Sequence, residues 1–233
     1  MTINTLETAE QVAGGPAAVG QGNPVGLATK LREGTQRAHR SAETRSFVVE
    51  LMDGSLNTAA FADLTAQLYF IYEALESVGA GLAEHPQAGK LVRPELIRLP
   101  SIEQDLITLY GPNWRELVNI RPETLAYAAH LRELGDWFGG WVAHAYTRYL
   151  GDLSGGQAIA RLVQRHYELG AEAVSFYHFA EIEKVKVYKD NYRAALDELQ
   201  FDDAETERVV AEAERAFAFN EAVFVALGAD HLK

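Results

Sequence analysis

The apolar positions of the chain recur at steps of three and four residues, which is the spacing of one face of an α-helix. The steadiest example is the set Phe61, Leu64, Leu68, Ile71, Tyr72 and Leu75. Proline is absent from Glu123 to Lys233, so long helices are permitted there. Asp202 followed by Glu205 predicts the capped start of a last helix, and Pro122 suits the first turn of an earlier one. The pattern predicts an all-α fold of about seven to nine helices and no strand.

The first 26 residues differ from the rest of the chain. They contain five glycines, two of the seven prolines and no aromatic residue. This composition is typical of a flexible segment, because it offers little apolar surface to bury. The sequence therefore predicts a flexible tail over 1–26, one packed domain over 27–228 and a short C-terminal end over 229–233.

The charge and the composition of the chain argue against several classes of function. The chain has 21 Lys and Arg against 33 Asp and Glu, a net charge of −12, so we expect no nucleic-acid partner. It has no cysteine, which excludes disulfides, thiolate metal ligands and cysteine nucleophiles. No apolar run approaches the roughly 18–20 residues of a membrane span, and the N-terminus lacks the features of a signal peptide. We therefore expect a cytoplasmic protein with no membrane span.

One candidate site lies in the first predicted helix. His39 stands at the edge of the apolar stripe, and Glu43 lies four residues on, where its carboxylate can orient the imidazole. Arg32 lies two turns before His39 on the same side, where a cation can pair with an anionic edge of a bound group. A neutral imidazole is a good iron ligand. The alternative interpretation is a surface histidine on an amphipathic helix.

A second candidate site interrupts a helical pattern with glycines at positions 151, 155 and 156. Three glycines inside a helix cost about 3 kcal/mol relative to alanine. That cost is offset where the backbone touches a flat ligand or another helix, or where the helix must bend. Asp152 stands beside this bare face, one turn after Arg148, and can order water next to a bound ligand. The alternative interpretation is tight helix packing beside a solvated carboxylate.

Together the two sites suggest a planar group held between two helices. His39 would bind on one side, and the glycine-rich face would leave room for O2 on the other.

A third feature is a basic stripe formed by Lys186, Lys189 and Arg193 on one predicted helix face. In an acidic chain such a stripe is a candidate clamp for carboxylates, although an exposed charged face is the simpler interpretation.

Several motifs resemble those of the haem oxygenase family. Residues 149–157 read YLGDLSGGQ, which looks like the distal-helix signature of that family. The supporting matches follow in family order: His39 to Glu43, EQDLITLYGPNW at 103–114, FYHF at 176–179 and YKDNYR at 188–193. The resemblance covers residues 27–228. The soluble bacterial, biliverdin-producing type is the nearest likeness, since we see no counterpart of the animal enzymes' C-terminal membrane segment.

The resemblance implies a fold and a set of roles. The fold would be a single-domain, all-α helical bundle with haem between a proximal and a distal helix. His39 matches the proximal iron ligand, and Glu43 matches its partner. The residues that match the distal catalytic side are Gly151, Gly155, Asp152 and Arg148. The residues expected to contact haem besides Glu43 are Arg32, Tyr146, Gly156, Lys189 and Arg193.

The resemblance also implies a reaction and partners. Haem b would be both cofactor and substrate, and O2 would open its ring at the α-meso carbon to give biliverdin, carbon monoxide and ferrous iron. The electrons would come from a ferredoxin or from an NADPH-linked flavin reductase. The expected state is a monomer.

Three other functions compete with this one. A haem carrier or sensor on the same fold would bind haem without turnover, but it has no need of a distal carboxylate such as Asp152. A di-iron carboxylate oxidase needs Glu-x-x-His pairs, and none of the seven histidines has a glutamate three residues before it. A purely structural helical protein would leave the three helix-interior glycines without a chemical role.

Overall fold

The computed structural model describes residues 25–232, so residues 1–24 of the predicted tail lie outside the described residues. Between residues 25 and 232 the chain forms ten α-helices and no strand, which confirms the predicted all-α fold. The helices are Leu27–Glu43 (α1), Ser46–Asp53 (α2), Thr58–Gly81 (α3), Leu99–Tyr110 (α4), Trp114–Leu117 (α5), Pro122–Glu133 (α6), Phe138–Ala145 (α7), Gly151–Tyr167 (α8), Val185–Asp197 (α9) and Asp203–His231 (α10). No helix among these described residues is long and apolar enough to cross a bilayer.

The centre of the bundle is α3, which packs against both α4 and α6. It is buried on all sides in its middle turns, so its polar side chains need partners inside the protein. The Gln67 amide supplies one such link: its nitrogen donates to Asp63 Oδ1 at 2.8 Å, and its oxygen accepts from Thr124 Oγ1 at 2.8 Å. This rigid central helix presents Tyr72 to the interior.

The longest of the described helices, α10, holds α1 in position by packing against it. It begins as predicted, because the Asp202 side chain accepts a hydrogen bond from the Glu205 backbone N–H at 2.7 Å. It packs against both α1 and α7. A Cβ atom at Gly34 would lie 2.5 Å from Val210 Cγ1, so the absence of a side chain there lets α1 approach α10 closely. This contact fixes the helix that carries His39.

The C-terminal residues belong to the bundle. Helix α10 continues to His231, so positions 229–231 form its last turn rather than the separate end that the sequence suggested. Two contacts hold that turn: His231 Nε2 lies 3.0 Å from Asp63 Oδ2, and Arg121 Nη1 lies 2.5 Å from Asp230 Oδ2. These tertiary contacts have no local sequence signal.

A π-helical segment directly precedes the glycine-rich region. Residues Tyr146–Leu150 are π-helical, between α7 and the first residue of α8, Gly151. A π-helical turn contains about one residue more than an α-helical turn, and such turns are common at functional sites. The segment carries Tyr146 and Arg148, both of them candidate site residues.

Candidate active site

The proximal side of the site lies on the C-terminal half of α1. His39 Nδ1 lies 3.2 Å from Glu43 Oε2, as the four-residue spacing predicts. The edge of the Phe217 ring packs on the imidazole, with 5.5 Å between ring centroids. The His39 side chain is half-exposed, so the imidazole stands at a surface of the bundle rather than in its core. The carboxylate and the ring together fix the orientation of the imidazole.

The distal side presents bare backbone. A Cβ atom built at Gly151 or at Gly155 would meet no atom within 4 Å, so both positions face open space. Gly156 differs, because a Cβ there would lie 3.0 Å from Tyr177 Cδ1. Gly156 is therefore buried against a neighbouring aromatic ring, and its predicted contact with haem stays a prediction.

A buried polar network stands behind the glycines. The Tyr72 hydroxyl donates to Asp152 Oδ2, and Arg148 Nη2 lies 3.5 Å from Asp152 Oδ1. Arg148 also donates to the Tyr72 hydroxyl through Nε at 3.3 Å and to Asn220 Oδ1 through Nη1 at 2.9 Å. Three separate parts of the chain therefore hold one carboxylate: the π-α8 region, α3 and α10.

Opposing electrostatic effects act on the Asp152 carboxyl. Burial raises the pKa of the Asp152 carboxyl above its ordinary value, and the Arg148 guanidinium and the Tyr72 hydroxyl partly oppose that rise. Burial also raises the pKa of Tyr72, so its hydroxyl keeps its proton and acts as a donor. Burial alone would lower the pKa of Arg148, but the neighbouring Tyr72 and Asp152 raise it, and the cation persists.

A basic group lies along another side of the site. The Thr35 hydroxyl, Arg32 and Arg193 lie close enough to Tyr146 to act on its hydroxyl. Burial raises the pKa of Tyr146, and the two arginines lower it. Lys189 Nζ donates to Ser154 Oγ at 3.2 Å, which joins α9 to α8.

His39 on α1 and the open glycines at the start of α8 define the candidate site, referred to as the cleft. Thr35 of α1 lies near Tyr146. The Tyr167 hydroxyl of α8 donates to the Leu51 carbonyl of α2 at 2.7 Å. Side-chain-free backbone at the start of α8 and an oriented imidazole on α1 fit a flat, iron-containing group.

The sequence did not reveal every residue of the site. Tyr72 follows the apolar period of α3 and was grouped with the core aromatics, although its hydroxyl is the donor to Asp152. Asn220 lies at a buried position of α10, and an amide at a position that follows the apolar period of a helix is an available sequence signal. Ser154 and Thr35 gave no signal, because each matters only through a partner on another helix.

Comparisons with known proteins agree with this geometry. The family model described as "Heme oxygenase" matches residues 25–226. "Heme oxygenase 1" of Synechocystis sp. is 40% identical over 210 residues, covering 90% of this chain and 88% of the relative. "Heme oxygenase" of Porphyra purpurea is 38% identical over 209 residues, covering 89% of each chain.

Solved structures give the same result. The crystal structure of heme oxygenase-1 from the cyanobacterium Synechocystis sp. in complex with heme has a TM-score of 0.85 at 40% identity, and the match covers 88% of this chain and 94% of that one. The structure of heme oxygenase from Leptospira interrogans has a TM-score of 0.81 at 33% identity, over 87% of this chain and 100% of that one. The predicted family is therefore confirmed: the chain belongs to the haem oxygenase family and is an enzyme that opens the haem ring.

Proposed function

We propose that this enzyme opens haem b at the α-meso carbon with O2, yielding biliverdin, carbon monoxide and ferrous iron, with His39 as the axial ligand. The observation that carries the proposal is the pairing of an oriented imidazole on α1 with the open backbone of Gly151 and Gly155 on α8. When bound, haem supplies the iron that activates O2 and the ring that is oxidised.

The proximal residues hold and orient the group. The Glu43 carboxylate, 3.2 Å from His39 Nδ1, fixes the tautomer and raises the basicity of the imidazole. The other ring nitrogen of His39, Nε2, would hold the haem iron. The Phe217 edge keeps the imidazole ring from turning about its side-chain bonds.

The distal residues leave space and manage protons. Gly151 and Gly155 admit a flat ring and a small diatomic molecule because no side chain stands in front of the helix. Asp152, held by Tyr72 and Arg148, orders water on that side and passes a proton through it. A carboxyl group that acts through water delivers the proton less directly than one in contact with bound oxygen, which favours attack on the ring over a peroxidase-type reaction.

The basic residues select the ring edge that reacts. We propose that Arg32, Tyr146, Lys189 and Arg193, on α1, the π-helical segment and α9, provide donors for the two haem propionates. A fixed propionate edge fixes the ring against rotation in its plane. This selection supports a single meso product, which we propose to be the α isomer.

The remaining features of the proposal concern partners and location. We infer electron supply by a ferredoxin or by an NADPH-linked flavin reductase, a monomeric state and a cytoplasmic location. The exposed lysines at positions 184 and 186 give an acidic donor a surface to approach.

A single-turnover experiment tests the reaction. One equivalent of hemin is added to the full chain, and reductant and air follow, with catalase and an iron chelator present. We expect the Soret band to disappear as a biliverdin spectrum grows, and chromatography to identify the α isomer. A stable oxygenated complex with an intact ring would indicate a carrier or sensor and would contradict the proposal, and a different isomer would contradict only the regiochemistry.

A further inference from the structure

We propose a second metal site in this chain, formed by His130, His144 and Glu212, which takes a divalent first-row transition-metal ion such as Zn²⁺ or Co²⁺. One ligand atom from each residue lies within 4.8 Å of the others. None of these three residues is among those proposed to contact haem, so the inference stands apart from the proposed function.

The three side chains converge from three helices. His130 lies on α6, His144 on α7 and Glu212 on α10, and α10 packs against both of the other helices. His130 Nε2 lies 2.5 Å from Glu212 Oε1, and His144 Nε2 lies 2.9 Å from the same oxygen. Ligands carried by packed helices need little rearrangement to bind an ion, since the backbone already holds them together.

The donor set selects the kind of ion. Two imidazole nitrogens and one carboxylate oxygen suit zinc, cobalt and ferrous iron, whereas magnesium and calcium prefer sites made of oxygen alone. Three protein ligands leave at least one position for water. The chain has no cysteine to offer a competing thiolate site.

Both histidines face the same oxygen of the Glu212 carboxylate, Oε1. Arg215 Nη1 lies 3.6 Å from the other oxygen, Oε2, and leaves Oε1 to face the histidines.

Neighbouring groups complete the site. The Tyr127 hydroxyl lies 3.1 Å from His144 Nδ1, which is the partner that a metal-bound imidazole needs on its second nitrogen. Phe219 packs on His130, with 5.0 Å between ring centroids. His144 is fully buried, but the His130 side chain is 18% exposed and gives an ion a path from solvent. In the metal-free protein each Nε2–H donates to Glu212. A bound ion would take the place of the hydrogen at each Nε2, and each neutral imidazole would carry its proton on Nδ1 instead.

Cobalt titration of the haem-free full chain tests the site. We expect one equivalent of Co²⁺ to give visible d–d absorption that one equivalent of Zn²⁺ abolishes and that excess Mg²⁺ leaves unchanged. His130→Ala removes a partly exposed ligand, and it should weaken binding by at least about tenfold. Glu212→Gln keeps the size of the side chain and should weaken binding similarly, with helicity checked by circular dichroism.

Two matched variants locate the ion. His178→Ala removes an exposed histidine outside the cluster, and His39→Ala removes the histidine of the haem cleft; both should bind Co²⁺ as the wild type does. Absence of the absorption in the wild type would overturn the proposal. So would absorption that survives in folded His130→Ala and Glu212→Gln variants, or that disappears in His39→Ala.

Discussion

The two sides of the proposed haem site differ in burial. On the proximal side, the His39 side chain is 50% exposed and contacts Glu43 of its own helix and the Phe217 ring of α10. On the distal side, the Arg148 and Asp152 side chains are only 11% and 10% exposed, and they have further partners on α3 and α10. One side stands at a surface of the bundle, and the other lies in its interior.

This difference separates function from stability. A change at a half-exposed residue alters ligation and leaves the fold almost intact. A change in the buried network removes a partner from a group that cannot turn to water, so it costs folding free energy as well as chemistry.

The largest effect is expected for His39→Ala, which removes the proposed axial ligand. Ring opening should fall by more than about a hundredfold, because losing even an outer partner of a ligand costs 10–100-fold. The free energy of unfolding should change by no more than about 0.5 kcal/mol, as for other surface positions. Ferric and ferrous haem spectra measure the first effect, and thermal unfolding of the haem-free protein measures the second.

His178→Ala is the matched control, since it also removes an exposed histidine. It should leave spectra and turnover unchanged. Wild-type haem spectra in the His39→Ala variant would show that another residue ligates the iron.

A smaller loss of ring opening is expected for Asp152→Ala. This variant should retain haem, because His39 is untouched. Its biliverdin yield should fall by about 10²-fold, at the lower end of what a positioned proton donor contributes. Peroxidase-type oxidation of an added phenol should rise in parallel. Both are measured in one single-turnover assay, and a full biliverdin yield would mean that another group organises the proton supply.

The sequence predicted the His39–Glu43 contact of the proximal side but not the Tyr72–Asp152 contact of the distal side. The contact of His39 with Glu43 follows from a four-residue spacing within one helix, and so does that of Arg148 with Asp152. Tyr72 is 80 residues from Asp152 in the chain, so no local spacing could pair them. The helical fold itself was predictable because apolar periodicity is also a local property.

Two further points depend on three-dimensional geometry. Gly156 is one step from Gly155, and a helix turns by about 100° per residue, so the two positions face different directions. The cluster of His130, His144 and Glu212 depends on how three helices pack. Nothing in the sequence near any one of these residues indicates the other two.

Tyr72→Phe tests the buried distal network through the free energy of unfolding. It removes the hydroxyl that donates to Asp152 and leaves a buried carboxylate with fewer partners, which costs about 1–3 kcal/mol. The loss depends on pH. Burial already raises the pKa of folded Asp152 above its ordinary value of 3.8, and the hydroxyl lowers it, so the variant should have a still higher pKa.

The sign of that pH dependence follows from linkage. Below the unfolded pKa the carboxyl is neutral in both states and contributes no penalty. As pH rises from the unfolded pKa to the folded pKa, the unfolded state loses its proton first, and the folded state becomes less stable. Urea unfolding should therefore show a larger loss for Tyr72→Phe at neutral than at acid pH. An equal loss at both would mean that the hydroxyl acts only through packing.

Gly151→Ala should separate stability from binding. A Cβ at this position meets open space, so the variant should gain up to about 1 kcal/mol of helix stability. The same methyl group would stand where we propose that haem binds. Haem binding should therefore weaken by about tenfold, which corresponds to about 1.4 kcal/mol of binding free energy. Gly34→Ala is the control with the opposite sign, because its Cβ would meet Val210 and destabilise the protein. Thermal unfolding and haem titration of both variants test the pair.

The smallest effect is expected for Lys189→Gln. The Lys189 ammonium is partly exposed and donates to Ser154 Oγ at 3.2 Å. Burial lowers the pKa of Lys189, and the nearby Asp190 carboxylate opposes that shift. Exposed charge contacts contribute about 0–1 kcal/mol, so haem affinity should fall by no more than about fivefold. The isomer ratio of biliverdin is the sharper measurement, since one missing propionate donor lets the ring turn in its plane. Lys186→Gln, a lysine on the same helix at an exposed position, should leave that ratio unchanged. If both variants gave only the wild-type isomer, the ring edge would be selected by the distal backbone rather than by the basic side of the cleft.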